Sequence, residues 1–142
     1  DVLTDMPVEN IVSHYNALNE DLYWGAVDDN YIVVSRNVDD TSSFGSLHVV
    51  LRKDGYFHIK AFKEKTGVVE KGLINAGIYV MTAKGFLQDC KDFGLDETKP
   101  CSIEKDIFPK MEWLFTHIIY RKNNWSDCGT PERVTEASKW LK

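Results

Sequence analysis

The scarcities of this sequence narrow its function first. Its three cysteines, Cys90, Cys101 and Cys128, are odd in number and form no Cys-x-x-Cys pair. Neither a disulfide framework nor a structural zinc site is indicated, and a reducing, cytoplasmic compartment is expected. No apolar run approaches the ~20 residues of a membrane-spanning helix, which sets a membrane role aside. Positive charge is in deficit: 17 Lys and Arg stand against 22 Asp and Glu, a net charge of −5. Nucleic-acid scaffolds carry the opposite balance, so no nucleic-acid partner is expected, although a few local lysines suffice to hold one phosphate. His14, His48, His58 and His117 show no metal-ligand spacing and read as structural or exposed. Glycine occurs nine times, yet never as Gly-x-Gly. The N-terminus has no initiator Met, basic stretch or apolar core, so it is no targeting peptide. The chain is expected to begin partway through a longer one.

What is present, 43% hydrophobic and 27% charged residues over 142, is the balance of one globular domain or part of one. Residues 2–4 read as the tail of a buried strand. Pro7 then opens a helix with apolar positions Val8, Ile11, Val12, Tyr15 and Leu18, ending near Asn19. Residues 31–34 form a β-branched strand behind a polar turn, while residues 22–27 are a further strand or a surface excursion. Residues 45–51 and 56–62 flank Lys53-Asp54-Gly55, and Asp-Gly between two such runs predicts a hairpin. The run Gly-Leu-Ile-Asn-Ala-Gly-Ile-Tyr-Val-Met over residues 72–81 is a strand broken by small residues, where something approaches the backbone closely. Thr82 caps a helix over residues 83–90, and Ser102 opens another that Pro109 ends. Residues 114–120 and 124–127 read as strands, and Thr130-Pro131-Glu132 starts a last helix. This mixture predicts an α/β chain with a mixed sheet and flanking helices.

Four short segments set polar groups beside turn or small residues: Asp1 at a strand end, Glu64-Lys65 closing the hairpin, Asn75-Ala76-Gly77 inside a strand, and Asp127-Cys128-Gly129-Thr130 before the last helix. A carboxylate at a strand end before a helix is where open α/β sheets place ligand-binding groups, and equally where a cap or turn needs one. A lysine at a hairpin end is by default a solvated charge.

Taken in order, Asp1-Val2-Leu3-Thr4-Asp5, Phe44-Gly45, Phe62-Lys63-Glu64-Lys65, the 72–80 run, Ser-Ile-Glu-Lys-Asp-Ile-Phe-Pro over residues 102–109, and Trp125 to Glu132 resemble the motifs of the sugar 1-phosphate nucleotidyltransferases. The resemblance covers the whole chain, and its nearest branch is the guanylyltransferases of mannose and heptose 1-phosphate. It implies the C-terminal, sugar-binding portion of a GT-A-like, Rossmann-related fold. It implies catalytic roles for Lys65, Asp1 and Asp127, with Asp1 and Asp127 holding Mg²⁺, a hard ion suited to two carboxylates and substrate phosphates. Lys65 would meet the phosphate of the sugar 1-phosphate. Glu64 and Glu104 would accept from sugar hydroxyls, and Asn75, Ala76 and Gly77 would line the sugar pocket. The implied reaction joins a sugar 1-phosphate to a nucleoside triphosphate and releases pyrophosphate.

The family's Gly-rich phosphate loop, with its Arg and Lys-Pro, has no counterpart here. The expectation is therefore a chain lacking the N-terminal nucleotide-binding half, with an apolar sheet edge open to that segment or to self-association. Two alternatives stand beside this reading: a non-catalytic sugar-phosphate-binding or interaction module derived from the fold, and a metal-dependent glycosyltransferase using a ready-made nucleotide sugar.

Overall fold

The computed structural model describes residues 2–21, 30–63, 65, 67–96, 98–111, 114–119 and 122–140. Strand β1 (Val2–Thr4) leads into helix α1 (Val8–Asp21), and then come β2 (Tyr31–Val38), the hairpin β3 (Ser46–Leu51) and β4 (Phe57–Lys63), and β5 (Gly72–Val80). Helix α2 (Ala83–Asp92), a π-helical turn over Ile103–Ile107 and a 3-10 turn over Phe108–Lys110 come next. Strands β6 (Leu114–Ile119) and β7 (Trp125–Asp127) and helix α3 (Pro131–Ala137) complete the order, with a 3-10 turn over Ser138–Trp140. Residues 22–27, the candidate extra strand, lie outside the described residues.

Strand β2 organises the core because both of its faces are apolar. Ile32 and Val34 point to a cluster with Met6, Ile11, Tyr15, Leu18, Ala76, Phe115 and Ile119, while Tyr31 and Val33 point to a second cluster with Leu47, Ile59, Phe108 and Leu114. A strand covered on both sides reads as a continuous apolar run rather than an alternation. Its neighbours are β5, antiparallel, and β6, parallel from Tyr31↔Leu114 to Arg36↔Ile119. The sheet is therefore mixed, as expected. It also closes on itself in the order β2-β5-β3-β4-β6, through the single pairs Ser46↔Ile74 and His58↔Phe115. Ser35 and Thr116, polar and buried, satisfy each other: their hydroxyls lie 2.7 Å apart and Thr116 is 2.9 Å from the carbonyl of Val33.

Helix α1 packs Ile11, Tyr15 and Leu18, at helical spacing, into the cluster that holds Ile32 and Val34. Val8 and Val12, grouped with them by sequence, face solvent at 61% and 43% exposure. The helix runs to Asp21 rather than ending at Asn19, and α2 runs to Asp92. The helix expected after Ser102 is only a five-residue turn. Ser102 accepts from the Lys105 N–H at 3.3 Å and Asp106 accepts from the Ser102 N–H at 2.6 Å, but Pro109 offers no N–H to continue it. Among the described residues, no helix is long and apolar enough to cross a membrane.

Strands β1 and β7 form a separate two-stranded ribbon in the register Val2↔Asp127, Leu3↔Ser126 and Thr4↔Trp125. Trp125 pins it to the sheet by donating from Nε1 to the carbonyl of Ala76 at 3.0 Å. At this point β5 bulges: β2 advances from Val33 to Ser35 while β5 covers Tyr79 to Asn75.

Candidate functional site

Four elements converge on one cleft of about 520 Å³, walled by Ser43, Phe44, Phe62, Lys65, Asn75, Glu104 and Asp127 among others. Lys65 arrives just past β4, Asn75 from β5, Glu104 from the π-helical turn and Asp127 from the end of β7. The structure thus brings together four of the residues picked out in the sequence. Asp1 and Glu64 lie outside the described residues. Ala76 and Gly77 are not among the residues that line this cleft. Ala76 is fully buried in the α1 cluster, and Gly77, at φ +74°, faces Val2, whose Cγ2 a Cβ would meet at 3.0 Å. At Gly77 it is this chain's own β1 that approaches the backbone closely.

Lys63, Lys65 and Lys105 bring positive charge to the cleft, against Glu104 and Asp127. Lys65 has no ion-pair partner among the described residues, leaving its ammonium available to an anion. Its neighbour groups are held firmly. Glu104 Oε1 accepts from Asn75 Nδ2 at 2.5 Å and from the Tyr79 hydroxyl at 2.9 Å, and Asn75 Nδ2 also donates to Tyr79 Oη at 2.8 Å. Asn75 Oδ1 in turn accepts from the Gly77 N–H at 2.9 Å. Tyr79 was missed in the sequence, although period-2 alternation places residues 75 and 79 on one face of a strand. Its phenol is pushed up to about 12, first by burial and, against the Asn75 hydrogen bond, by the carboxylate of Glu104.

Asp127 is anchored at both oxygens. Oδ2 accepts from Arg133 Nη1 at 2.6 Å, and Oδ1 accepts from the Gly129 N–H at 2.8 Å. Arg133 sits in the first turn of α3, capped by Thr130, with its guanidinium 4.9 Å above the ring of Phe44. Among the described residues no group of three or more His, Cys, Asp or Glu could hold a metal ion. Asp127, one-third exposed, nevertheless fits a hard divalent cation, which needs only one or two protein carboxylates beside water and phosphate.

A second constellation escaped the sequence entirely. His14 on α1 and His117 on β6 place their Nδ1 atoms 3.0 Å apart, with ring centroids 5.2 Å apart, a head-on imidazole hydrogen bond linking helix to sheet. No spacing rule finds two residues 103 positions apart.

The family described as nucleotidyl transferase matches residues 1–142. A protein of Arabidopsis thaliana named "Probable mannose-1-phosphate guanylyltransferase 2" is 31% identical over 136 residues, covering 92% of this chain and 31% of its own length. The mannose-1-phosphate guanylyltransferase catalytic subunit beta of Drosophila pseudoobscura pseudoobscura is 30% identical over 133 residues, 93% of this chain and 30% of its own. The crystal structure of HddC from Yersinia pseudotuberculosis complexed with GMP-PN shares the fold, with a TM-score of 0.63 at 23% identity over all of this chain and 52% of its own. The chain spans about a third of the length of the curated relatives it matches.

Proposed function

The chain belongs to the nucleotidyl transferase family, and on that premise we propose that it supplies the sugar-phosphate pocket and the metal carboxylates of a sugar 1-phosphate nucleotidyltransferase. A hexose 1-phosphate of the mannose type and a nucleoside triphosphate are its substrates, and a nucleotide sugar and pyrophosphate its products. The observation that carries this reading is the meeting of Lys65, Asn75, Glu104 and Asp127 in one cleft, from four separate elements.

Lys65 holds the phosphate of the sugar 1-phosphate as a point charge. Glu104 accepts from a ring hydroxyl, and Asn75 keeps Glu104 in place. Asp127 and, by the family resemblance, Asp1 would hold Mg²⁺. Mg²⁺, when bound, neutralises charge on the transferring phosphates. A sugar-phosphate oxygen aligned in this way attacks the α-phosphorus in line, and pyrophosphate leaves. Phosphoryl-type transfers need alignment and charge neutralisation more than a covalent nucleophile, so the lack of a Ser-His-Asp arrangement is no obstacle. The triphosphate's own anion site, a Gly-rich loop at a helix N-terminus, is assigned outside these 142 residues, which hold no Gly-x-Gly.

The test is pyrophosphate release from mannose 1-phosphate and GTP with Mg²⁺, by the whole enzyme that contains these residues and by its Lys65→Ala and Asp127→Asn variants. Release that survives both substitutions unchanged rejects the assignment. Free nucleoside diphosphate formed from a nucleotide sugar, with no pyrophosphate, favours a glycosyltransferase.

A further inference from the structure

Glu104 enters the cleft with its two oxygens in different states. Oε1 is saturated by Asn75 and Tyr79, while Oε2 has no hydrogen bond among the described residues. A count of donors shows what this ring of three side chains leaves for a ligand. Both N–H groups of Asn75 Nδ2 are spent, one on Tyr79 and one on Glu104, and Asn75 Oδ1 is already engaged by Gly77. The Tyr79 hydroxyl gives its single proton to Glu104 and accepts from Asn75. The trio thus has no donor left for a ligand, and the oxygen without a hydrogen bond among the described residues is Glu104 Oε2, its direction fixed by two hydrogen bonds to its twin.

The Tyr79 ring is itself held. It packs edge-on against Phe108 at 5.1 Å, and Phe108, fully buried, stacks on Phe62 at 5.5 Å. The hydroxyl therefore has a set position before any ligand arrives. We propose that Tyr79 is the residue that sets hexose stereoselectivity in this cleft, as a positioning residue acting through Glu104. One aimed acceptor favours the epimer whose hydroxyl meets it and leaves the other epimer's hydroxyl unpaired, and such a mismatch discriminates far more strongly than a difference in apolar contact. The raised phenol pKa supports the role, since Tyr79 stays a donor throughout the neutral range.

This inference rests on the reading of the cleft as a sugar-phosphate pocket, and the experiment separates the two. Calorimetric titration of the full chain with mannose 1-phosphate, glucose 1-phosphate, galactose 1-phosphate and inorganic phosphate gives the wild-type affinities. Tyr79→Phe keeps the ring packing and removes only the hydroxyl. It is expected to shrink the affinity ratio between the preferred and the epimeric hexose 1-phosphates by roughly tenfold, the size of one lost hydrogen bond, while inorganic phosphate binds as before. In a Glu104→Ala background the same substitution should change that ratio no further, whereas a merely structural tyrosine would give the same loss in both. Failure of the wild type to bind any of the sugar phosphates rejects the pocket itself. Binding and discrimination that Tyr79→Phe leaves intact, an equal loss for every ligand, or a wild type that binds the epimers alike rejects the inference about Tyr79 alone.

Discussion

Gly77 and Val2 meet so closely that a side chain at residue 77 would press on the Val2 methyl and make it give way by a few tenths of an ångström. A Cβ at Gly77 would stand 3.0 Å from Val2 Cγ2, and the backbone there has φ +74°. Gly77→Ala combines a left-handed backbone with a steric conflict, and a cost of about 1–3 kcal/mol in stability is expected. Denaturant melts should show Val2→Ala relieving only part of that cost, because the φ of residue 77 is untouched. Full rescue would mean that the contact alone demands glycine.

The imidazole pair makes stability depend on pH. Burial holds the pKa of His14 and of His117 below the ordinary imidazole value, and the proximity of His14 lowers His117 further. His58 is lowered in the same direction by burial, against the pull of Asp54. A histidine whose folded pKa is depressed binds fewer protons folded than unfolded, so this stabilisation is complete above about pH 6.5 and is lost as pH falls through the unfolded value. Double protonation also removes the acceptor the His14–His117 hydrogen bond needs. Thermal melts from pH 8 to pH 5 should decline, and the decline should be shallower in His14→Ala. An equal slope in both proteins would remove this pair from the account.

Much of the fold is legible in the sequence, since local signals agree with the tertiary outcome. Asp54-Gly55 turns the hairpin with Gly55 at φ +86°, and the β-branched run of β2 is buried on both faces. Thr82 and Thr130 cap α2 and α3, and Ser102 caps the π-helical turn. The closure of the sheet is not legible, because it rests on two isolated pairs between strands distant in the chain. The meeting of Lys65, Asn75, Glu104 and Asp127 was reached through motif resemblance, and composition or periodicity alone gave no hint of it. Tyr79 and Arg133 were overlooked for one reason: each acts on another side chain, and that partnership exists only in three dimensions.

Arg133 competes with any cation for Asp127. Its guanidinium donates to Oδ2 at 2.6 Å and adds a positive charge beside the carboxylate. A partly exposed pair of this kind is worth roughly 1 kcal/mol, so Arg133→Gln should tighten Mn²⁺ binding by about fivefold. Asp127→Asn should weaken it in the opposite direction. Electron paramagnetic resonance titration of Mn²⁺ reads both without reference to turnover. Weaker binding in Arg133→Gln would show instead that the arginine is needed to aim Asp127.

On the proposed reading, Lys65 separates a sugar 1-phosphate held in the cleft from a triphosphate held elsewhere. The ammonium has no ion-pair partner among the described residues and shares the wall with Glu104 and Asn75, so its charge is available to a phosphate. A charge-assisted contact of this kind contributes ~1.5–3 kcal/mol, and Lys65→Ala should lower kcat/KM for the sugar 1-phosphate by roughly 10- to 150-fold. Nucleoside triphosphate binding, assigned to a different anion site, should change little. Lys65→Arg keeps the charge but replaces a compact ammonium with a larger planar fork, so only partial recovery is expected. The decisive comparison is between substrates within one variant: an equal loss for both would place Lys65 on the triphosphate or in the general electrostatics of the cleft, and no loss for either would leave it a solvated surface charge.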